Sequence, residues 1–157
     1  MKRSAITTYR LCLLLTIGSA SAVEILNSNS NPIGTVHFIE QQLDISVEIA
    51  ASQSQREQGL MHRTGLGEKQ GMLFAYPDQA IRSVWMKNTL LPLDVLFINA
   101  DGRIVAMLEN LQPCRHDPCP IFESKKPAMY MLELNAHFSK IQQLKIDQRL
   151  QLVNTKK

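Results

Sequence analysis

Trp85-Met86-Lys87-Asn88-Thr89-Leu90-Leu91-Pro92-Leu93-Asp94-Val95-Leu96-Phe97-Ile98 is the stretch whose reading decides the fold. It ends in the most apolar run of the chain, yet it carries Lys87, Asn88 and Asp94. A buried amide without a partner costs a few kcal/mol and an unpaired charge costs more. Each of the three polar groups therefore needs solvent at a strand end or a specific partner, and the stretch is either a structural keystone or the floor of a site.

Working outward, residues 93–98 are apolar on both faces except at Asp94, and Asn99-Ala100-Asp101-Gly102 is a hairpin turn into a strand over 103–108. Further on, residues 129–134 form a strand with Glu133 between two leucines, 136–143 make one or two helical turns, and 149–153 close as a last strand. Upstream, residues 35–39 read as a strand. Residues 43–50 alternate, with Leu43, Ile45, Val47 and Ile49 on one face and Asp44, Ser46 and Glu48 on the other. Ser54-Gln55-Arg56-Glu57 has capping-box spacing, which predicts a short helix to about Arg63 with Gly65 as its stop. Residues 71–76 form a buried strand ended by Pro77-Asp78, and 83–86 a shorter one. Strands follow strands with few helical crossovers. The expected fold is mainly β, α+β at the margin: a single antiparallel β-sandwich or jelly-roll-like barrel with one or two short helices.

The first 22 residues carry Lys2, Arg3 and Arg10, an apolar run over 11–17 and the small-residue end Ala20-Ser21-Ala22, the three-part pattern of a cleaved signal peptide. The run is too short to span a bilayer. The expectation is a periplasmic or secreted protein cut after Ala22, with a flexible, Asn- and Ser-rich leader over 23–34, a single β domain over 35–157 and no transmembrane segment in the mature chain. Removing the leader's three bases brings the 17 Lys and Arg down to 14, equal to the 14 Asp and Glu. A sequence pI near 8.8 therefore belongs to the precursor, and no nucleic-acid partner is expected. Cys12 leaves with the signal, so Cys114 and Cys119 remain as a pair, read as a disulfide that holds the excursion over 113–120 in shape. The spacing is not that of a C-x-x-C redox site, and two thiols with His116 fall short of a zinc set.

Five blocks in order, Gly59-Leu60-Met61-His62-Arg63, Gly71-Met72-Leu73-Phe74, Trp85-Met86-Lys87-Asn88-Thr89 with Pro92-Leu93-Asp94, Pro113-Cys114 to Cys119, and Pro127-Ala128 with Tyr130 and Leu132-Glu133, resemble those of the domain of unknown function 192 family. The resemblance covers roughly residues 35–153. It implies a compact, mainly β domain of sandwich or jelly-roll-like architecture in proteins that are often exported, and it implies no established activity. The chain departs from the family near its end, where Asn135-Ala136-His137 and Ile146-Asp147-Gln148 stand in place of a Gly and a Gly-Asp pair. Ala136 does not reach positive φ cheaply, so a turn that relies on that glycine must be reshaped.

Three chemistries are open to these residues. Trp85 offers a stacking platform or a core side chain, and Arg63 and Lys87 either hold an anionic ligand or neutralise Asp94 and Glu133. With Asn88 and Asp94 they make the candidate ligand site of a binding module for a small molecule, sugar or envelope component. Alternatively, Asp94 and Glu133 form the acid pair of a carbohydrate- or peptide-directed hydrolase or lyase. As a third possibility, Met61, Met72, Met86, Met107, Met129 and Met131 with His37, His62, His116 and His137 supply soft ligands for a periplasmic metal, although methionines on strands are better explained as core filler. Serine-nucleophile elbows, Gly-rich phosphate loops and H-E-x-x-H motifs are missing from the sequence, and no cofactor is implied.

Overall fold

The computed structural model describes residues 31–153, so the signal-peptide reading over 1–22 and most of the leader lie outside the described residues. In chain order the elements are β1 (Ile33–Phe38), β2 (Leu43–Ala50), α1 (Gln53–Gln58), β3 (Gln70–Ala80), β4 (Ser83–Trp85), β5 (Leu93–Ile98), β6 (Ile104–Leu111), β7 (Ile121–Glu123), β8 (Ala128–Asn135), α2 (Phe138–Ile141) and β9 (Leu150–Val153). The leader ends earlier than its composition suggests, because Ile33 and Gly34 already pair with Glu48 and Val47 in β1.

Seven strands form one sheet in the order β6-β5-β8-β3-β2-β1-β9, and β4 and β7 form a separate two-stranded ribbon. The fold is mainly β, as expected. All neighbours are antiparallel except β2 and β3, which run parallel and are joined through α1. The large sheet curls until its outer strands meet at one end. There Arg103 bridges Arg149, the Ile104 N–H donates to the Gln148 carbonyl at 3.0 Å and the Leu150 N–H to the Gly102 carbonyl at 2.8 Å. Gly102 permits this approach: its φ is +78°, and a Cβ there would lie 2.6 Å from the Leu150 carbonyl oxygen.

The curl gives the sheet two differently furnished faces. Inside it, Val36, Phe38, Ile45, Val47, Leu96, Ile98, Leu132 and Leu150 pack with Phe138 of α2. On the outer face of the central strands, Met72, Phe74, Val95, Phe97 and Met131 pack under Leu60, Val84 and Met86. β5 lies between these layers, which is why all six of its residues are buried and why its sequence is apolar on both sides.

Local corrections have local causes. α1 is capped by Ser52, whose Oγ accepts the Gln55 N–H at 3.2 Å while Gln55 Oε1 accepts the Ser52 N–H at 2.9 Å; Gly59, not Gly65, ends it. β3 runs on through Pro77 and Asp78 because its register with β8 shifts between Ala75 and Ala80, leaving no ladder amide for the proline to break. In the reshaped C-terminal turn the left-handed residue is His137, at φ 69°, and a second left-handed residue is Asp147, at φ 71°.

Candidate functional site

The segments over the outer face leave a gap. Between α1 with its following turn and β4 with the loop to Thr89 lies a crevice of about 140 Å³. Strand alternation builds its floor, because Phe74 and Tyr76 of β3 and Met131 and Glu133 of β8 project to the same side of the sheet. Leu60 and Met61 form one wall; Val84, Trp85 and Thr89 form the other. One end is tied shut by the His62 N–H, which donates to the Asn88 carbonyl at 2.9 Å, with both residues left-handed.

Glu133 dominates the crevice. It is 6% exposed and sits in register between Met72 and Val95, both fully buried. Its carboxyl carries no hydrogen bond or ion pair among the described residues. Burial alone pushes it up to about 8, so at neutral pH the group is mostly protonated, with an unused O–H donor and an unused acceptor. The group is not sealed: Ser139 Oγ, not either Glu133 oxygen, is the buried side-chain atom without a partner among the described residues, so the carboxyl keeps a narrow contact with solvent through the crevice and is free to meet an incoming group there.

Beside it, the Tyr76 ring is bracketed by guanidinium groups, that of Arg82 at 3.9 Å from the ring centroid and that of Arg56 at 5.0 Å. Burial raises the Tyr76 hydroxyl above its ordinary value, the two arginines oppose that rise, and Glu133 adds to it. Both arginines are fixed. Arg56 donates to the carbonyls of Ala51 and Ala75, and Arg82 to the Ala128 carbonyl at 3.1 Å and to Asp78 Oδ1 at 2.8 Å. The Arg82 hydrogen bond holds the Asp78 carboxyl below its usual range.

Trp85 forms the lip rather than the core, being 47% exposed. It lies opposite exposed Ile121 across the β4–β7 ribbon, with Lys87 Nζ at 5.7 Å from its ring. Lys87 also reaches Asp117 Oδ2 at 3.1 Å. The cysteine loop supports this lip from behind: Cys114 and Cys119 are bonded, with Cα atoms 5.7 Å apart, and the Cys114 N–H donates to the Met86 carbonyl at 3.1 Å.

The five residues read from sequence as a ligand set therefore separate. Trp85, Lys87 and Asn88 stay together around the lip and the closed end. Arg63 turns away to Glu48 of β2 in a two-pronged pair, with Nη2 2.6 Å from Oε2 and Nη1 on Oε1. That hydrogen bond lowers the Glu48 carboxyl and raises the Arg63 guanidinium further. Asp94 is on the other side of the sheet. Fully buried, it accepts the N–H groups of Asn110 at 2.8 Å and His137 at 3.0 Å on Oδ1, and of Ser139 at 2.8 Å on Oδ2. Its partners are amides of the main chain, not Arg63, Lys87 or Asn88.

Register also dissolves the acid pair. Val95 is opposite Glu133 and Asp94 is opposite Leu134, so the two carboxyls point to opposite faces of the sheet. No hydrolase chemistry can run between them. Among the described residues no three His, Cys, Asp or Glu side chains converge on a metal position, and Met72 and Met86 are outer-face core. Sequence reasoning passed over Phe74, Tyr76, Arg56 and Thr89 as site residues and weighed Met131 only as a soft metal ligand. The available signal was parity, since Phe74 shares a face with Tyr76 and Met131 with Glu133.

The family model for domain of unknown function 192, described as an uncharacterized ACR, matches residues 35–152. No curated protein matches the sequence. Among solved structures, a candidate transcription regulator from Sinorhizobium meliloti 1021 is similar at 39% identity with a TM-score of 0.72, covering 78% of this chain and 95% of that one. A protein of unknown function from Novosphingobium aromaticivorans DSM 12444 is similar at 26% identity with a TM-score of 0.68, covering 76% and 83%.

Proposed function

Because the chain belongs to the domain of unknown function 192 family, whose description assigns no activity, we propose from its geometry that it is an exported module that binds a small ligand or envelope component in the outer-face crevice. The observation that carries this reading is Glu133, a carboxyl left without a partner on the floor of an aromatic- and thioether-lined gap, beneath an exposed tryptophan. Small-ligand sites have this composition: mostly apolar walls with a few convergent polar groups that fix orientation. Export is supported by the tripartite pattern over residues 1–22 and by the bonded cysteine pair.

A thermal-shift screen of the mature protein against sugars, peptidoglycan fragments, short peptides and small uncharged organic compounds tests the reading. A ligand that binds only the native state at 100 times its Kd stabilises by about 2.7 kcal/mol. The expected result is a set of compounds that stabilise the wild type and lose that effect in Trp85→Ala and Glu133→Leu. Compounds that stabilise wild type and both variants equally would place binding elsewhere and overturn the proposal.

A further inference from the structure

The crevice also says what kind of group it is built to receive. The titratable and charged groups around Glu133 are Tyr76 from β3 and Arg56 and Glu57 from α1, with Arg82 behind Tyr76; Met72 and Val95 flank it in register, and the β4 side of the crevice adds only Val84, Trp85 and Thr89. An ammonium ligand would enter beside two guanidinium groups already committed to the Tyr76 wall, and an anion would enter beside an acid with no cation of its own. A purely apolar ligand would seal the carboxyl in and leave its donor and acceptor unmet, at a cost. What satisfies both atoms of a neutral carboxyl is an uncharged group with an acceptor and a donor side by side.

Resting on the crevice being a ligand site, we propose that it seats a primary amide whose C=O accepts the Glu133 O–H while its syn N–H donates to the other carboxyl oxygen. The apolar substituent then lies between Phe74 and Met131 under Trp85. Size agrees, because a cavity of about 140 Å³ is close to the ~150 Å³ apolar cavity that holds benzene, a molecule of six heavy atoms. The amide belongs either to a free small molecule or to a glutamine or asparagine side chain of a peptide.

Affinity measured by NMR titration of the mature protein tests this with isobutyramide, and with N-acetylglutamine methylamide for the peptide source. Isobutylammonium and 3-methylbutan-2-one, the second of which keeps the acceptor and lacks the donor, are the matched controls. Isobutyramide or the glutamine derivative should bind at pH 6.5 about tenfold tighter than the ketone, whichever of the two amides wins identifying the source. As Glu133 loses its proton, the binding-competent fraction shrinks, and affinity should fall by about tenfold or more by pH 9.5. Glu133→Gln, which still presents a donor and an acceptor, should keep the affinity and lose the pH dependence; Glu133→Leu should lose the affinity. Tighter binding of isobutylammonium that strengthens as pH rises, or equal binding of amide and ketone, would overturn the amide assignment and leave the crevice as a ligand site. If these probes leave the crevice untouched while other compounds bind there, the amide assignment alone fails. If no compound of any class perturbs the crevice, both readings fall.

Discussion

Two buried acids of one sheet have opposite fates, and the difference is their partners. Asp94 is ringed by three main-chain N–H groups, two of them on the left-handed residues Asn110 and His137, so its carboxylate fixes the end of β6 and the start of α2. Asp94→Asn turns an NH2 group towards those donors and should cost roughly 3 kcal/mol in denaturant melts. Lys87→Met breaks a half-exposed contact with Asp117 and a distant one with the exposed Trp85 ring, and should cost under about 1 kcal/mol. The double mutant should show no coupling, since Lys87 and Asp94 do not meet; a coupling above about 0.5 kcal/mol would contradict this assignment. Glu133 makes the opposite prediction. Its folded value near 8 lies above its ordinary 4.5, so the native state holds a proton that the unfolded chain releases between those two pH values. Its contribution is fully present below pH 4.5 and is lost as pH rises towards 8, a change on the order of 5 kcal/mol. Glu133→Gln should flatten that part of the stability profile, and an unchanged slope would show that the acid is solvated or paired.

At the scale of elements, legibility followed how much of the answer is local. β2 and β5 occupy the spans that their patterns predict, because period-two alternation and a doubly covered apolar run need no knowledge of the partner strand. α1 was displaced because Ser52/Gln55 and Ser54/Glu57 both satisfy the capping spacing, and the choice is made by where the chain leaves β2 at Ala50. β7 was not legible at all: three residues pair only with β4, a partner far away in sequence. The site was half legible for the same reason. Trp85 and Glu133 could be singled out as a large aromatic and an acid in apolar surroundings, but which face each acid takes depends on the β5–β8 register, and a one-residue slip inverts it. The cysteine loop carries its own prediction. Reducing Cys114–Cys119 should cost only about 2 kcal/mol because the closed loop is short, and it should leave the curled sheet intact while changing Trp85 fluorescence, since Cys114 is bonded through its amide to Met86. Loss of the whole fold on reduction would contradict a local role.

For the whole molecule, a curled sheet with a sealed interior and a partly covered exterior divides stability from function. The inside, with Asp94 among its supports, holds the fold, and the outer face, where α1 and β4 fail to meet, offers the opening. Among the described residues no helix is long and apolar enough to cross a membrane. Processing of the leader should give a protein that begins at Val23 with no free thiol, which intact mass on material from the periplasm or medium will check; the full 157-residue chain there would contradict export by cleavage. The division between faces is tested most directly by mapping backbone amide shifts of the labelled mature protein during titration with small uncharged fragments. The account predicts shifts confined to the crevice, at Met61, Tyr76, Val84, Trp85 and Met131; shifts centred instead on the groove between residues 100–102 and β9, or none anywhere with the whole fragment set, would contradict it.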